Sequence, residues 1–353
     1  MTSVQPVDLD FLTARLHGQR RRLAEAERLD ALCRLRTITD LARTIGAQGN
    51  FYTAAELQHW LILHLVQELA DFTVQLSRVG SALTAWMRVR FQIENLKVLA
   101  RAFATGRAFD HARSYLVPLP DDLFLNIDAL AAADSVELFA EAAPAGILRQ
   151  SLVEAAAAYV EAPRPIVLES ALDRGYFREL IQRTRALPVE ARRDSMAIVQ
   201  QEVDTFHLML VARGRFTYGL PVARLLQLHV DGAGISRDRF REMLVAESLL
   251  ASAQHAVGFA LDRLPAGERG LGEHPLDLVP AVLEALAWNR YLRLARRAFR
   301  QSHMGLGAVI AFAAIRRIEL ANLITLSEGI RTGVDPEAIR SRLVPTDTET
   351  IRV

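Results

Sequence analysis

The sequence predicts an all-α chain assembled from three copies of one helical unit, and three observations carry that prediction. Helix-favouring residues fill nearly every segment, and nothing alternates with period two for long enough to make a sheet. Shifted by 227 positions (322 minus 95), Arg90–Pro118 falls in ungapped register with the C-terminal stretch. Arg90, Asn95-Leu96, Leu99, Thr105-Gly106, Arg113-Ser114 and Leu116-Val117-Pro118 recur as Arg317, Asn322-Leu323, Leu326, Thr332-Gly333, Arg340-Ser341 and Leu343-Val344-Pro345. These are eleven identities in 29 positions, where ordinary composition gives roughly two by chance. A third register completes the set. A shift of 115 lays Pro165–Glu169 on Pro280–Glu284 and Tyr176 on Tyr291, and a shift of 112 lays Asn95-Leu96 on His207-Leu208. Since 227 equals 112 plus 115, the three copies agree. A period of this size suits a domain and exceeds the ~20–50 residues of solenoid repeats.

Taken in order, Arg15–Leu41 reads as helix, with Leu16, Leu23, Leu29, Leu32 and Leu35 near helical spacing. Thr53 opens the next helix with Glu56 three residues on, a capping-box pattern, and Gly80-Ser81 allows a break after Val79. A long helix over Ser81–Arg107 ends at Gly106, and Pro118–Asp121 is a turn. Shorter helices follow over Asp122–Ala143 and Gly146–Glu161. Pro163 and Pro165 open the second copy, whose long helices run over about 165–187 and 189–216. Gly232–Gly234 is a loop, and Pro265–Pro275 reads as the linker into the third copy. There the long pair returns at about 277–301 and 304–331, and Asp335-Pro336 starts a last short helix. The domain division is therefore 1–120 for the first copy (connecting helices continue to about 162), 163–264 for the second and 265–353 for the third, with 265–275 as linker.

Composition narrows the function classes. With 42 basic and 41 acidic residues the net charge is +1, so no global field favours nucleic acid or an anionic membrane. Cys33 is the single cysteine, which excludes an intramolecular disulfide or a cysteine metal cluster and suits a reducing compartment. Met1–Asp8 has neither a basic start nor an apolar run, which predicts no signal peptide. The longest apolar stretch, Met304–Ile315, is closed by Arg316-Arg317 and is shorter than the ~20 residues of a spanning helix. No membrane insertion is expected.

Catalytic motifs are lacking. There is no phosphate loop of the Gly-x4-Gly-Lys-Ser/Thr type, and Gly267–Gly272 is a glycine-rich stretch without the preceding strand that dinucleotide binding needs. Asp121-Asp122 looks like half of an acidic metal motif, but Leu125-Asn126 stand where the next acid belongs, so Asp122 reads as a helix N-cap. His59 and His64 are five apart and point to different faces of a helix. No catalytic residue, metal or cofactor is expected.

One polar pattern recurs with the repeat. Gln92 and Asn95, Asp204 and His207, Glu319 and Asn322 stand three apart, hence on one helix face. Such pairs can tie each helix to a neighbour by buried hydrogen bonds. Alternatively, three such helices converge on a pseudo-threefold axis and the six residues line a shared polar socket.

The residues Ile93–Arg101 followed by Gly106 resemble the signature helix of the C subunit of bacterial and archaeal V-type ATPases, whose eukaryotic relative is the d subunit. Arg317–Leu323, Gly329–Arg331 and Pro336–Leu343 are similar to that family's closing motif, and Asp10–Gly18 to its opening helix. Leu168-Glu169 with Tyr176-Phe177 matches a middle-domain pattern, while His207 stands where the family tends to have an amide. The resemblance implies a funnel of three pseudo-repeated helical domains in a pseudo-threefold arrangement. It also implies a non-catalytic rotor subunit of the central stalk, at the cytoplasmic side of the membrane. Such a protein joins a central shaft of D- and F-type subunits to the membrane rotor ring of proteolipids and transmits torque for ATP-coupled proton or sodium transport. Gln92, Asn95, Asp204, His207, Glu319 and Asn322 are then the candidate shaft-binding socket. A helical scaffold unrelated to the ATPase would need a period of ~34–47 residues. An all-α enzyme would need a second acidic motif on a facing helix.

Overall fold

Every regular element among the described residues, 9–256 and 280–345 of this computed structural model, is helical. In chain order the α-helices are α1 (Leu9–Arg20), α2 (Ala26–Cys33), α3 (Ile38–Ile45), α4 (Ala54–Val74), α5 (Arg78–Thr105) and α6 (Phe109–Arg113). Then come α7 (Ile127–Ala131), α8 (Val136–Ala142), α9 (Ile147–Glu161), α10 (Pro165–Arg185), α11 (Val189–Met209), α12 (Val222–Gln227), α13 (Arg237–Val245) and α14 (Leu249–Gln254). The series ends with α15 (Pro280–Ser302), α16 (Leu306–Thr332) and α17 (Pro336–Arg340). A 3₁₀ turn occupies Asp121–Leu123 and a π-helix occupies Leu210–Thr217. The linker expected over 265–275 lies outside the described residues.

The described residues form two compact units, each drawn from separate parts of the chain. The first contains 9–85, 184–198 and 285–345, and the second contains 86–183, 199–256 and 280–284.

The first unit is organised by α16. Its residues Leu306–Ile315 are all buried, as expected of a helix that is apolar all round. From Leu306 on, the apolar stretch noted in the sequence is thus a core helix, and among the described residues no helix is long and apolar enough to cross a membrane. Helix α16 packs most extensively on α4, and also meets α1, α3 and α17. Phe312 sits between Phe72 and Phe299 with both ring centroids at 6.1 Å, an edge-and-tilt arrangement that aromatic quadrupoles favour. Polar ties fix the register of α4 against α16. Gln58 Nε2 donates to Ser327 Oγ at 2.9 Å and to Glu328 Oε1 at 2.7 Å. The Arg316 guanidinium bonds Glu68 at 2.7 Å and also Glu319. Burial alone would lower its pKa, but Glu319 and then Glu68 outweigh this and hold it above the ordinary arginine value.

Sequence spacing predicts one helix over Arg15–Leu41, whereas the chain breaks twice there, into α1, α2 and α3. Neither break carries glycine or proline; tertiary bonds produce the first. The Ala24 N–H donates to Glu319 Oε1 at 2.6 Å, and the Glu25 carboxylate takes both Arg20 and Arg296. Burial and the neighbouring Arg296 bring the Arg20 guanidinium down to about 10. At the second break Thr37 is extended and its hydroxyl caps α3 through the Asp40 N–H. The capping box at Thr53 and Glu56 forms as expected. Asp335 caps α17, which has proline in its first turn.

In the second unit α8 packs on α9, and α12 packs on α13. The expected helix over Asp122–Ala143 is instead the 3₁₀ turn followed by α7 and α8. Asp122 is not a helix N-cap. Its carboxylate accepts two bonds from the Arg88 guanidinium, at 2.7 and 3.1 Å, and this long-range bidentate pair overrides the local capping preference.

If α16 organises its unit, Phe312→Ala lowers unfolding free energy by ~3–5 kcal/mol, measured by denaturant titration. A loss under ~1 kcal/mol contradicts that role.

Candidate functional site

The asparagine of the repeated polar pair does a definite job, and it is the same job in the two outer copies. Helix α5 ends at Gly106, whose φ of +63° suits glycine, and α6 turns the chain back so that Val117 reaches Asn95. Asn95 Nδ2 donates to the Val117 carbonyl at 2.8 Å, and the Val117 N–H donates to Asn95 Oδ1 at 3.0 Å. Helix α16 ends at Gly333 with φ +68°, α17 follows, and Asn322 takes Val344 in the same way, at 2.6 and 2.9 Å. An amide side chain has one acceptor oxygen and one donor nitrogen, so it can replace a strand neighbour for a single backbone residue. Both clamps span 22 residues.

The middle copy differs by one residue. Gly106 and Gly333 each stand eleven positions after their asparagine, but Gly219, with φ +63°, stands twelve after His207. The extra residue is absorbed between them by the π-helix over Leu210–Thr217, where the Tyr218 N–H reaches back five positions to the Arg213 carbonyl at 2.7 Å. Val230, 23 residues on, then donates its N–H to His207 Nε2 at 3.0 Å. An imidazole that accepts at Nε2 carries its proton on Nδ1, and His207 Nδ1 is buried with no hydrogen-bond partner among the described residues. Half of the clamp is therefore lost. What remains is a stack on His229, with centroids 4.8 Å apart and planes 8° apart. His229 Nε2 donates to the Ile235 carbonyl at 3.0 Å, and its Nδ1 lies 3.4 Å from Asp231. Burial, and then the neighbouring His229 ring, push His207 well below the ordinary histidine pKa.

The partners three residues earlier each hold another backbone segment. Gln92 Nε2 donates to the Phe124 carbonyl at 3.2 Å, Asp204 Oδ1 accepts from the Ile235 N–H at 2.8 Å, and Glu319 accepts from Ala24. All six side chains are buried, from His207 at 0% exposure to Gln92 and Asn95 at 7%. Gln92, Asn95, Asp204 and His207 belong to the second unit, and Glu319 and Asn322 to the first. Each pair is engaged with loops of its own unit, which is what the simpler of the two sequence readings expects. The valine ends of the clamps were visible in the sequence as Val117-Pro118 and Val344-Pro345 within the repeat, though spacing alone did not connect them to the asparagines.

Among the described residues no group of three or more histidine, cysteine, aspartate or glutamate side chains could hold a metal. Fold and site together define an all-helical protein whose repeated chemistry fixes loops. The chain matches the ATP synthase (C/AC39) subunit family over residues 12–342 and belongs to that family. It is 25% identical over 255 residues to the C subunit of the A-type ATP synthase of Methanothermobacter thermautotrophicus, covering 71% of this chain and 64% of the relative. It is also 23% identical over 257 residues to the C subunit of the A-type ATP synthase of Methanosphaera stadtmanae, covering 70% and 64%. The similarity thus spans less than two thirds of the length of either relative.

Two outcomes follow from the clamps. Asn322→Ala strands both backbone groups of Val344 and lowers stability by about 1–3 kcal/mol, measured by denaturant titration; an unchanged midpoint would show that water replaces the amide. The histidine makes the middle clamp sensitive to pH. Because its folded pKa lies below the unfolded value of about 6.5, its contribution is complete above that value and is lost as pH falls toward the folded pKa. Stability should drop by about 1 kcal/mol between pH 6.5 and 5.5, and His207→Asn should flatten that slope. Equal slopes in both proteins would show that other groups set it.

Proposed function

We propose that this chain is the central-stalk subunit of an A/V-type ATP synthase, a non-catalytic adaptor that seats a shaft of D- and F-type subunits and joins it to the membrane rotor ring of proteolipids. The observation that carries the reading is the family match over residues 12–342. The two relatives, named as C subunits of A-type ATP synthases, support it. The adaptor works at the cytoplasmic face of the membrane, peripheral to it, and passes torque between shaft and ring without making or breaking a covalent bond. Three copies of one helical unit around a pseudo-threefold axis would offer a round face to a ring and a central seat to a shaft.

In this proposal Gln92, Asn95, Asp204, His207, Glu319 and Asn322 serve the shaft socket as positioning residues. Their side chains are buried, so they act through the segments they hold, around Val117, Phe124, Val230–Ile235, Ala24 and Val344. A clamp that accepts and donates at once leaves a loop little freedom to rotate, and torque transfer needs stiff loops between stiff helices. The geometry that supports this role is the 22-residue span kept in both outer copies.

The test is reconstitution of the full chain with shaft subunits and a detergent-solubilised ring. Stoichiometric co-elution with both is expected, and the double variant Asn95→Ala with Asn322→Ala should bind shaft at least roughly tenfold more weakly while its circular dichroism stays helical. A chain that elutes free of shaft and ring overturns the adaptor reading. Unaltered shaft binding by a folded double variant overturns the role given to the clamps.

A further inference from the structure

Beside the clamps, the second unit carries a groove of about 580 Å³ that they leave unused. It is bordered by α5, the start of α10, and the end of α11 with its π-helix, and it brings four cations together: Lys97, Arg101, Arg164 and Arg213. Among the described residues two carboxylates line it, and both are already engaged. Asp173 takes Lys97 at 2.7 Å and Arg90 at 2.8 Å, and Glu169 takes Arg101 at 2.8 Å. Arg213 reaches Glu284 at 2.7 Å, and Arg164 donates to the Tyr218 carbonyl at 2.9 Å. The rim pairs are wet, with Arg101 57% and Arg213 51% exposed. Ion pairs that exposed contribute little, so an incoming carboxylate can exchange for the resident one at small cost. Between the cations the groove is apolar, with Ile166, Phe206, Met209 and Leu210 in its lining.

We infer that this groove docks an acidic amphipathic segment of a partner protein, its carboxylates on Arg101, Arg164 and Arg213 and an apolar side chain on Ile166 and Met209. Charge complementarity selects the sign of the occupant, and the apolar floor selects a peptide over a small anion, which would gain nothing from Ile166 or Met209. The volume accommodates a few side chains. The π-helix adds a second reason. The middle copy alone inserts a residue here, and that segment carries Leu210 and Arg213 into the lining. Such an insertion costs helix geometry and recurs at functional sites.

The inference does not depend on the adaptor reading, and its test uses the full chain alone. The probes are a fluorescently labelled, amidated helical peptide of glutamate and leucine with leucines at i, i+3 and i+4, its lysine counterpart, and inorganic phosphate. By anisotropy the acidic peptide should bind saturably, and Arg164→Glu combined with Arg213→Glu should weaken it by about tenfold or more. Millimolar phosphate should not displace it. From Tyr218→p-benzoylphenylalanine the bound peptide should photocross-link. Both arginines are exposed, and the milder Arg164→Ala provides a second reading with a smaller loss in the same direction. Absent saturable binding, equal binding of the lysine peptide, indifference to charge reversal, or displacement by phosphate would each overturn the docking surface.

Discussion

A side-chain amide gripping one backbone residue from both sides is the constraint on which the repeated part of this protein depends. Helices α5 and α16 are long, and α16 is mostly buried, but a helix by itself says nothing about where the chain goes after it ends. Gly106 and Gly333 stop the two helices, α6 and α17 turn the chain back, and Asn95 and Asn322 catch the returning valine. Each of these steps needs particular residues at particular offsets. That is why the identities between the copies cluster on Asn-Leu, Thr-Gly, Arg-Ser and Leu-Val-Pro while intervening positions drift. What the repeat preserves is one closed loop, held by a donor and an acceptor on the same side chain.

Set against that arrangement, the middle copy shows what happens when one element is altered. Histidine in place of asparagine accepts from Val230 but has nothing to give back, and its other nitrogen is left buried and unpartnered among the described residues. The loss is offset by neighbours. Asp204 holds Ile235, Gln200 holds the Gly232 carbonyl at 2.9 Å, and His229 stacks on the imidazole while bonding Ile235 from the far side. The loop over 229–235 is thus held by several separate hydrogen bonds where the outer copies use one two-way amide clamp. The π-helix belongs to the same alteration, since it takes up the one residue by which this copy is longer. An acceptor that can be protonated is a less durable fastening than an amide, which has no pKa in the physiological range.

Much of this was legible in the sequence, and the exceptions have physical causes. The all-helical class, the capping box at Thr53, the cap at Asp335, and the glycine stops follow from local chemistry, and local chemistry is what a sequence displays. The long apolar run at Met304–Ile315 was visibly too short to span a bilayer, and from Leu306 on it is core helix. Hidden from spacing were features fixed by distant partners. Glu319 draws the Ala24 N–H out of what would otherwise be a continuing helix, and Arg88 takes Asp122 away from capping duty. The recurrence of Asn95, His207 and Asn322 was plain, but whether they tie loops or line a space depends on what lies opposite them. In the structure that is the backbone of Val117, Val230 and Val344. The π-helix leaves no motif of its own, and its only trace is an offset of twelve where the other copies have eleven.

The three clamps are one device with one weakened member, and amide hydrogen exchange reads that directly. Exchange at Val117, Val230 and Val344 in the intact chain should be followed from pH 7.5 down to 5.5, after correction for intrinsic rates. Val230 is expected to lose protection as pH falls below about 6.5, because the opened loop lets His207 take up a proton that the buried clamp disfavours, while Val117 and Val344, held by asparagine, keep theirs. Protection that falls equally at all three valines, or that holds at Val230 throughout, would contradict this.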